Sequence, residues 1–293
     1  MTDEFESSWL DTREDADVRA RNVSITKSLR AFLDDVERIN VVDLGAGTGA
    51  LFRYLAPRIN GRQTWRLVDR SDKLLRQSET HLAAWADARH LTVGASKDFW
   101  CATNAKEEYC VFHEQKNFGG GLLDLSFNSE INLITASALL DLVSLNWVDE
   151  LTALCLQTQA SFYGSLTYDG KIDWSPSHPG DIKLLQLLNK DQRRDKGLGP
   201  ALGPDAIAAA RRALASRGFV VAIGPSPWVL GPVDEDLQIA LLSQWGIFLK
   251  QNTDLPSREV RLWKDFHLDA IAKGKSYLRV GHQDMWATPP GRS

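Results

Sequence analysis

The chain has 293 residues, of which 43% are hydrophobic and 25% are charged, and its formal net charge is −4. These fractions are ordinary for a globular protein, and the acidic balance argues against a nucleic-acid partner, which needs a basic surface. The sequence has no run of 18 apolar residues, so we expect no membrane span and no membrane partner.

The amino terminus and the cysteines bear on location and metal content. Residues 1–22 lack the basic start and apolar stretch of a secretory signal, which favours a cytoplasmic protein. Cys101, Cys110 and Cys155 show no Cys-x-x-Cys spacing. Their odd number predicts buried or inert thiols, with neither a disulfide framework nor a metal site.

The first part of the chain predicts helices and strands in alternation. Apolar residues recur at helical spacing within 6–37. An apolar run at 39–44 predicts a strand that ends in the sequence GAGTG. A second strand is predicted at 64–70, closing on Asp69, and Ser71 is a typical N-cap residue for the helix that follows.

The alternation continues towards the carboxyl terminus. Residues 90–130 show little pattern apart from a strand at 108–115. The later predicted elements are strands at 131–137, 160–168, 219–230 and 275–282, helices at 138–157, 204–218, 234–252 and 256–274, a loop at 169–180 and a helix that begins at 181. Strands that alternate with helices predict an α/β fold, in which a parallel sheet is covered on both faces.

Three glycines, Gly45, Gly47 and Gly49, directly follow the first strand. Glycine inside regular structure costs roughly 0.5–1 kcal/mol relative to alanine, so the cluster indicates a ligand close to the backbone. The third glycine comes one residue earlier than G-x-G-x-x-G requires, which disfavours a dinucleotide pyrophosphate. Asp69, at the end of the next strand, can accept hydrogen bonds from both ribose hydroxyls. An adenosine-like ligand is therefore predicted.

The sequences "VVDLGAGTG" at 41–49 and "WRLVDRS" at 65–71 resemble the first two motifs of class I S-adenosylmethionine-dependent methyltransferases. The resemblance covers roughly residues 38–168. It implies a Rossmann-like, doubly wound, mostly parallel seven-stranded sheet with helices on both faces. It also implies an N-terminal helical lid at 1–37 and a methyltransferase domain at 38–293, with a substrate-pocket insertion around 169–203.

The resemblance further implies a binding site for S-adenosyl-L-methionine, without a metal. The residues implied at the cofactor are Asp43, Gly45, Gly47 and Gly49 at its methionine part and Asp69 at its ribose. Ala46 and Arg70, beside these, and Ser137, in the turn after the fourth strand, are also implied to bind it. Asp124 is the best match for the residue beside the adenine, and Asp98 is its rival. The family often has Asp at the position of Asn132, so the fourth motif departs slightly here.

Methyl transfer needs a nucleophile held in line with the methyl carbon, and some nucleophiles also need a general base. The candidates at the carboxyl edge of the sheet are Asp141, Tyr168 and His178. His282 and Asp284 follow the predicted last strand, and we expect them at the far edge, away from the cofactor.

Two further groups of side chains bear on the substrate. Arg193 and Arg194 could clamp an anionic substrate, because guanidinium groups match carboxylate and phosphate geometry. Trp9, Arg13 and Arg21 lie in the amino-terminal segment, which could close over the site and exclude water.

The sequence thus predicts methyl transfer to an O, N or C nucleophile of a small molecule. The Asn/Asp-Pro-Pro-Tyr tetrapeptide of adenine methylases is absent after the fourth strand, where the chain reads "TASA". Two alternatives stay open: cyclisation or elimination of S-adenosylmethionine on the same fold, and a non-catalytic protein that binds it. The sequence does not indicate an oligomeric state.

Overall fold

The computed structural model describes residues 7–95, 99–118, 121–122 and 130–291. The strands within these residues are β1 (Arg38–Leu44), β2 (Arg62–Asp69), β3 (Thr92–Ala95), β4 (Trp100–Thr103), β5 (Glu108–Gln115), β6 (Leu133–Ser137), β7 (Ser161–Ser175), β8 (Val220–Pro225), β9 (Trp228–Leu230) and β10 (Tyr277–Thr288). The α-helices are α1 (Ser7–Ala20), α2 (Val23–Leu33), α3 (Ala50–Leu55), α4 (Asp72–Asp87), α5 (Leu145–Thr158), α6 (Asp181–Asp191), α7 (Ala206–Ser216), α8 (Glu235–Asn252) and α9 (Ser257–Ala272).

All these strands form one sheet in the order β3-β4-β5-β2-β1-β6-β7-β10-β8, with β9 paired to β10. The central strands β5, β2, β1, β6 and β7 run parallel, and β10 is antiparallel to β7 and β8. The predicted α/β fold with a parallel centre is confirmed. The seven predicted strands correspond to the continuous run from β5 to β8. The sheet has more strands than predicted, because β3 and β4 were missed and the predicted strand at 219–230 is two strands, β8 and β9.

The strand order reverses beside β1, because β1 lies between β2 and β6. In open α/β sheets, ligands bind at such a reversal, outside the carboxyl ends of the strands. The topology therefore places the glycine cluster at the position where a ligand is expected.

Alternate residues of β1 enter two different hydrophobic cores, as the period of a strand requires. Val42 and Leu44 join a cluster with α5 and α7 on one face. Ile39 and Val41 join a cluster with α2, α3 and α4 on the other face, around the fully buried Trp65. A third cluster packs α6, α8 and α9 against the outer ends of β7 and β10.

The amino-terminal segment consists of two helices that differ in packing. The helix α2 begins after Asn22, whose side chain accepts a hydrogen bond from the Ile25 amide. It buries Leu29 and Leu33 in the same core as β1, so α2 is part of the sheet's covering layer. The helix α1 instead lies across the carboxyl edge, through contacts described below.

Two predicted elements have different bounds in the structure. The predicted helix at 138–157 is a short 3-10 helix at Leu140–Leu142 followed by α5. The predicted loop at 169–180 was wrong over its first half, since β7 continues to Ser175 by pairing with the start of β10. This part of β7 contains polar residues and glycine, which are depleted in strands. Its partner strand also lies about a hundred residues later in the chain, so the local sequence does not show the pairing.

Cys101 and Cys110 form a disulfide, so the prediction of inert thiols was wrong for this pair. They stand opposite each other on the antiparallel strands β4 and β5, with Cα atoms 4.1 Å apart. Cysteine spacing alone could not show that a turn brings these positions together. Cys155 is free and buried, as expected.

In the described part of the chain, none of the helices combines the length and apolar character that crossing a membrane needs.

Candidate functional site

The carboxyl end of β1 turns sharply at residues 45–49, here called the glycine bend. Gly45, Gly47 and Gly49 have φ angles of 71°, 55° and 77°, a region that residues with a Cβ rarely adopt. The amides of Gly45 and Ala46 both donate to the Val68 carbonyl, at 2.8 and 3.1 Å. These bonds tie the bend to the end of β2.

Asp69 ends β2 beside the glycine bend and is buried. Its Oδ2 accepts a hydrogen bond from the Gly47 amide at 2.8 Å, and its Oδ1 accepts one from the Ser71 amide at 2.9 Å. Each carboxylate oxygen keeps a further lone pair that can accept another hydrogen bond. Ser71 caps α4 as predicted, and the adjacent Arg70 is exposed. The two sequence motifs are therefore in direct contact.

Asp43 lies in β1 just before the bend and is 1% exposed. Its Oδ1 accepts a hydrogen bond from Thr135 Oγ1 at 2.7 Å, whereas its Oδ2 has no partner among the described residues. Burial raises the pKa of this carboxyl to about 7, against the opposing effects of Thr135 and the Arg21 charge.

Arg21 follows α1 and is almost fully buried, at 2% exposed. Its Nη2 donates to Ser137 Oγ at 3.3 Å, at the end of β6, and its guanidinium lies 4.7 Å from the ring centre of Tyr54. Its Nε and Nη1 have no partner among the described residues. A buried positive charge with two unused donors therefore stands close enough to Asp43 to act on its pKa.

The helix α1 covers the glycine bend. A Cβ added at Gly47 would lie 3.2 Å from Leu10 Cδ1. Glu14 accepts two hydrogen bonds from Arg53 of α3, at 2.9 and 2.5 Å. Asp17 accepts one from Trp228 Nε1 at 2.9 Å, on the other side of the edge. A ligand that lies along the bend therefore requires α1 to move.

A second group of polar side chains lies at the ends of β6 and β7. Asp141 is buried, and its Oδ1 has no partner within the described residues. Burial raises the pKa of this carboxyl, partly offset by backbone hydrogen bonds, one of them from Tyr168, and by the charges of Lys196 and Arg13. Tyr168 donates its hydroxyl to Asn189 Oδ1 at 2.9 Å. Asp141 and Tyr168, both predicted from the sequence, are thus neighbours.

His282 stands directly opposite Tyr168, across the pairing of β7 and β10. The expectation of a far-edge position was wrong, because the last strand does not end at residue 282 but continues to Thr288. His282 therefore lies in the first half of β10, near the carboxyl ends of the parallel strands. The His282 ring lies 4.8 Å from that of Trp228 and 6.3 Å from that of Tyr168. Sequence reasoning missed Trp228. The Arg13 guanidinium carbon lies over its ring, 5.2 Å from the ring centre.

Asp284 is fully buried and accepts three hydrogen bonds. Its Oδ1 bonds the Leu166 amide at 2.9 Å, and its Oδ2 bonds the Asn22 amide at 2.8 Å and the Tyr163 hydroxyl at 3.2 Å. Leu166 has a φ of 53°, an uncommon conformation that the surrounding structure must hold. Asp284 therefore ties the start of α2 to a strained part of β7.

The structure places His178 away from Tyr168, past the end of the extended β7. Its Nδ1 accepts a hydrogen bond from the Gly180 amide at 2.9 Å, its amide donates to Asp181 at 2.6 Å, and its ring lies 5.1 Å from Phe266. These contacts are those of a residue that shapes the turn before α6.

The remaining predicted residues give less to the site. Arg193 pairs with Asp205 at 2.8 Å and Arg194 with Asp191 at 3.2 Å, so their charges are already balanced. The predicted adenine contacts at positions 124 and 98 lie outside the described residues. Across the ranges that are described, no group of three or more His, Cys, Asp or Glu side chains could hold a metal ion.

No protein-family model matches this sequence, and no curated protein matches it. Among solved structures, the chain is similar to a SAM-dependent methyltransferase from Thiobacillus denitrificans in complex with S-adenosyl-L-homocysteine, at 14% identity over 97% of this chain and 99% of that one, with a TM-score of 0.44. It is also similar to a SAM-dependent methyltransferase from Geobacter sulfurreducens in complex with the same compound, at 15% identity over 99% and 100% of the two chains, with a TM-score of 0.45. A third similar structure is the mycolic acid cyclopropane synthase CmaA1, at 11% identity over 89% and 82%, with a TM-score of 0.44.

Proposed function

We propose that this chain is an S-adenosyl-L-methionine-dependent methyltransferase that acts on a small molecule. One observation carries the proposal: a buried cation and a buried carboxyl, Arg21 and Asp43, each have hydrogen-bonding atoms beside the glycine bend that find no partner in the described part of the chain. Buried polar groups are normally paired, so these atoms indicate a ligand with both a negative and a positive group.

The methionine part of S-adenosylmethionine has that combination. The Nε and Nη1 of Arg21 would donate to its carboxylate, and Asp43 Oδ2 would accept from its ammonium group. Asp69 would accept from the ribose hydroxyls with the lone pairs that its bonds to Gly47 and Ser71 leave. The nearby bend has no side chains of its own at its three glycines, which leaves room once Leu10 moves aside.

When bound, the cofactor supplies a methyl group that its sulfonium already activates. The chain's own task is then to hold a nucleophile in line with that methyl group and to exclude water. We assign the substrate side to Asp141 and Tyr168, which lie together at the carboxyl edge. We assign the closing movement to α1 alone, because α2 is buried in the core.

The proposal is tested by calorimetric titration with S-adenosylhomocysteine, 5′-methylthioadenosine and NAD. Methylthioadenosine keeps the nucleoside but lacks the amino acid part. Because hydrogen bonds to charged groups contribute about 1.5–3 kcal/mol, we expect it to bind roughly tenfold or more weakly than S-adenosylhomocysteine. The variant Arg21→Met should remove most of that difference.

The matched control is Arg30→Met, which changes an exposed arginine of α2 and should leave both affinities unchanged. Equal affinity of the wild type for the two nucleosides, or binding of NAD alone, would contradict the proposal. Product analysis separates the alternatives, since methyl transfer releases S-adenosylhomocysteine and elimination of the amino acid part releases methylthioadenosine.

A further inference from the structure

The backbone around His282 is irregular in a way that fixes where its side chain lies. The register between β10 and β7 shifts on both sides of His282, between Val280 and His282 and again between Gln283 and Met285. Such bulges redirect side chains and are frequent beside active sites. A Cβ at the preceding Gly281 would lie 2.0 Å from Asp169 Oδ1, so any other residue there requires the Asp169 side chain to move.

The ring of His282 is enclosed by aromatic side chains. It is 7% exposed, between Trp228 and Tyr168. Its Nδ1 is buried without a hydrogen-bond partner among the described residues. Burial, reinforced by the Arg13 charge, lowers the pKa of His282 to about 3, so the ring is uncharged near neutral pH.

Asp141 offers a second unused atom in the same neighbourhood. Its Oδ1 is buried and also without a partner in the described residues. The Arg13 charge acts on the pKa of both His282 and Asp141. The Tyr168 ring lies 6.3 Å from that of His282, and the Tyr168 backbone acts on the pKa of Asp141. His282 Nδ1 and Asp141 Oδ1 thus have no partner among the described residues and lie near the rings of Trp228 and Tyr168. Such a site suits a flat ligand that carries a hydroxyl or amine group.

We propose that His282 is a substrate-contacting residue, which orients a hydroxyl or amine group of an aromatic acceptor molecule. This inference rests on the proposed function and narrows its nucleophile to a protic oxygen or nitrogen, excluding carbon. The attacking lone pair forms the bond to the methyl carbon as the carbon–sulfur bond breaks, and the electron pair of that bond stays on sulfur. The proton of the attacking group passes to the Asp141 carboxylate.

The test measures the binding of three matched fragments by ligand-observed NMR, with the protein saturated by S-adenosylhomocysteine. The fragments are benzyl alcohol, benzylamine and toluene, which share a ring and differ in the protic group. We expect the alcohol or the amine to bind at least tenfold more tightly than toluene. The variant His282→Phe should abolish that preference, and His282→Asn, which keeps a polar atom near the Nδ1 position, should restore part of it.

The affinity for S-adenosylhomocysteine should be the same in wild type and both variants, which separates this inference from the proposed function. If the wild type fails to bind S-adenosylhomocysteine, the proposed function fails and this inference falls with it. If it binds S-adenosylhomocysteine but holds toluene as tightly as the protic fragments, or binds none of them, the role of His282 is overturned. A preference that survives in His282→Phe overturns it equally.

Discussion

Beside the glycine bend, burial has a larger effect on the protonation of Asp43 than its charged and hydrogen-bonding neighbours have. One Asp43 oxygen has no partner in the ranges that the structure describes. Burial raises the pKa of Asp43 to about 7, although the Arg21 charge acts in the opposite direction. The free energy of unfolding of the chain without ligand should therefore depend on pH up to about neutrality.

We expect the variant Asp43→Asn to gain stability over the wild type as the pH rises. The unfolded chain releases the Asp43 proton near its ordinary pKa of 3.8, but the folded chain keeps it until about pH 7. Between those values the folded state binds more protons, so the free energy of unfolding of the wild type falls with rising pH. The loss amounts to roughly 1.4 kcal/mol for each unit of pKa displacement. Urea unfolding of the wild type and of Asp43→Asn at pH 4 and at pH 8 measures this difference in stability.

The exposed Asp87→Asn provides the control, since its stability relative to the wild type should not change with pH. A stability gain of Asp43→Asn that is equal at both pH values would contradict the buried, protonated carboxyl.

Individual residues were predictable where local sequence dictates them. The glycines, Asp69 and the Ser71 cap follow from turn and cap chemistry and take those positions. His282 and Trp228 were not predictable in this way, because their neighbours belong to strands far along the chain. The extent of the last strand would have placed His282, since the strand continues to Thr288 and the first half of an antiparallel strand lies near the carboxyl edge.

At the scale of the elements, α1 covers the glycine bend of the candidate site. It is held at one side by the pair of Glu14 with Arg53, whose side chain is 9% exposed, and at the other by the pair of Asp17 with Trp228. The apolar spacing within 6–37 predicts a helix, but the break between α1 and α2 depends on Asn22 as a cap, which that spacing does not reveal.

We expect Glu14→Gln to increase the opening of α1. The substitution removes the negative charge from a partly buried, doubly hydrogen-bonded pair, a loss of about 1–3 kcal/mol. Amide hydrogen exchange of residues 8–20 should become about five-fold faster or more, while exchange in α2 stays unchanged. The control is Asp15→Asn, at an exposed position of the same helix. Equal acceleration in α1 and α2 would show that the pair holds both helices and not α1 alone.

At the scale of the whole molecule, alternating strands and helices were enough to predict the parallel centre. The additional strands at the edge of the sheet could not be predicted in this way. The strands β3 and β4 lie in a region of weak sequence pattern. β3 pairs with β4, and the pairing of β4 with β5 is secured by the Cys101–Cys110 disulfide. Disulfides are more typical of oxidising compartments, so the cytoplasmic location remains a prediction.

We expect reduction of this disulfide to lower the free energy of unfolding by about 2–3 kcal/mol, because it frees a short closed loop in the unfolded chain. Urea unfolding with and without dithiothreitol measures the change. The variant Cys101→Ser should match the reduced wild type and show no response to dithiothreitol. A wild-type transition that is identical under both conditions would show that the bond does not form or does not stabilise the fold.

The bond from Asp284 to the Asn22 amide has a mechanical consequence. It anchors the chain at the point where α1 meets α2, and Leu29 and Leu33 keep α2 fixed in the core. We therefore expect residues 21–22 to stay in place if α1 moves. Such a movement would break the contacts of α1 with Arg53 and Trp228 and would uncover Ala16 in the third cluster. The two clusters on the faces of the central sheet contain no residue of α1, so opening would require only part of the free energy that holds the protein folded.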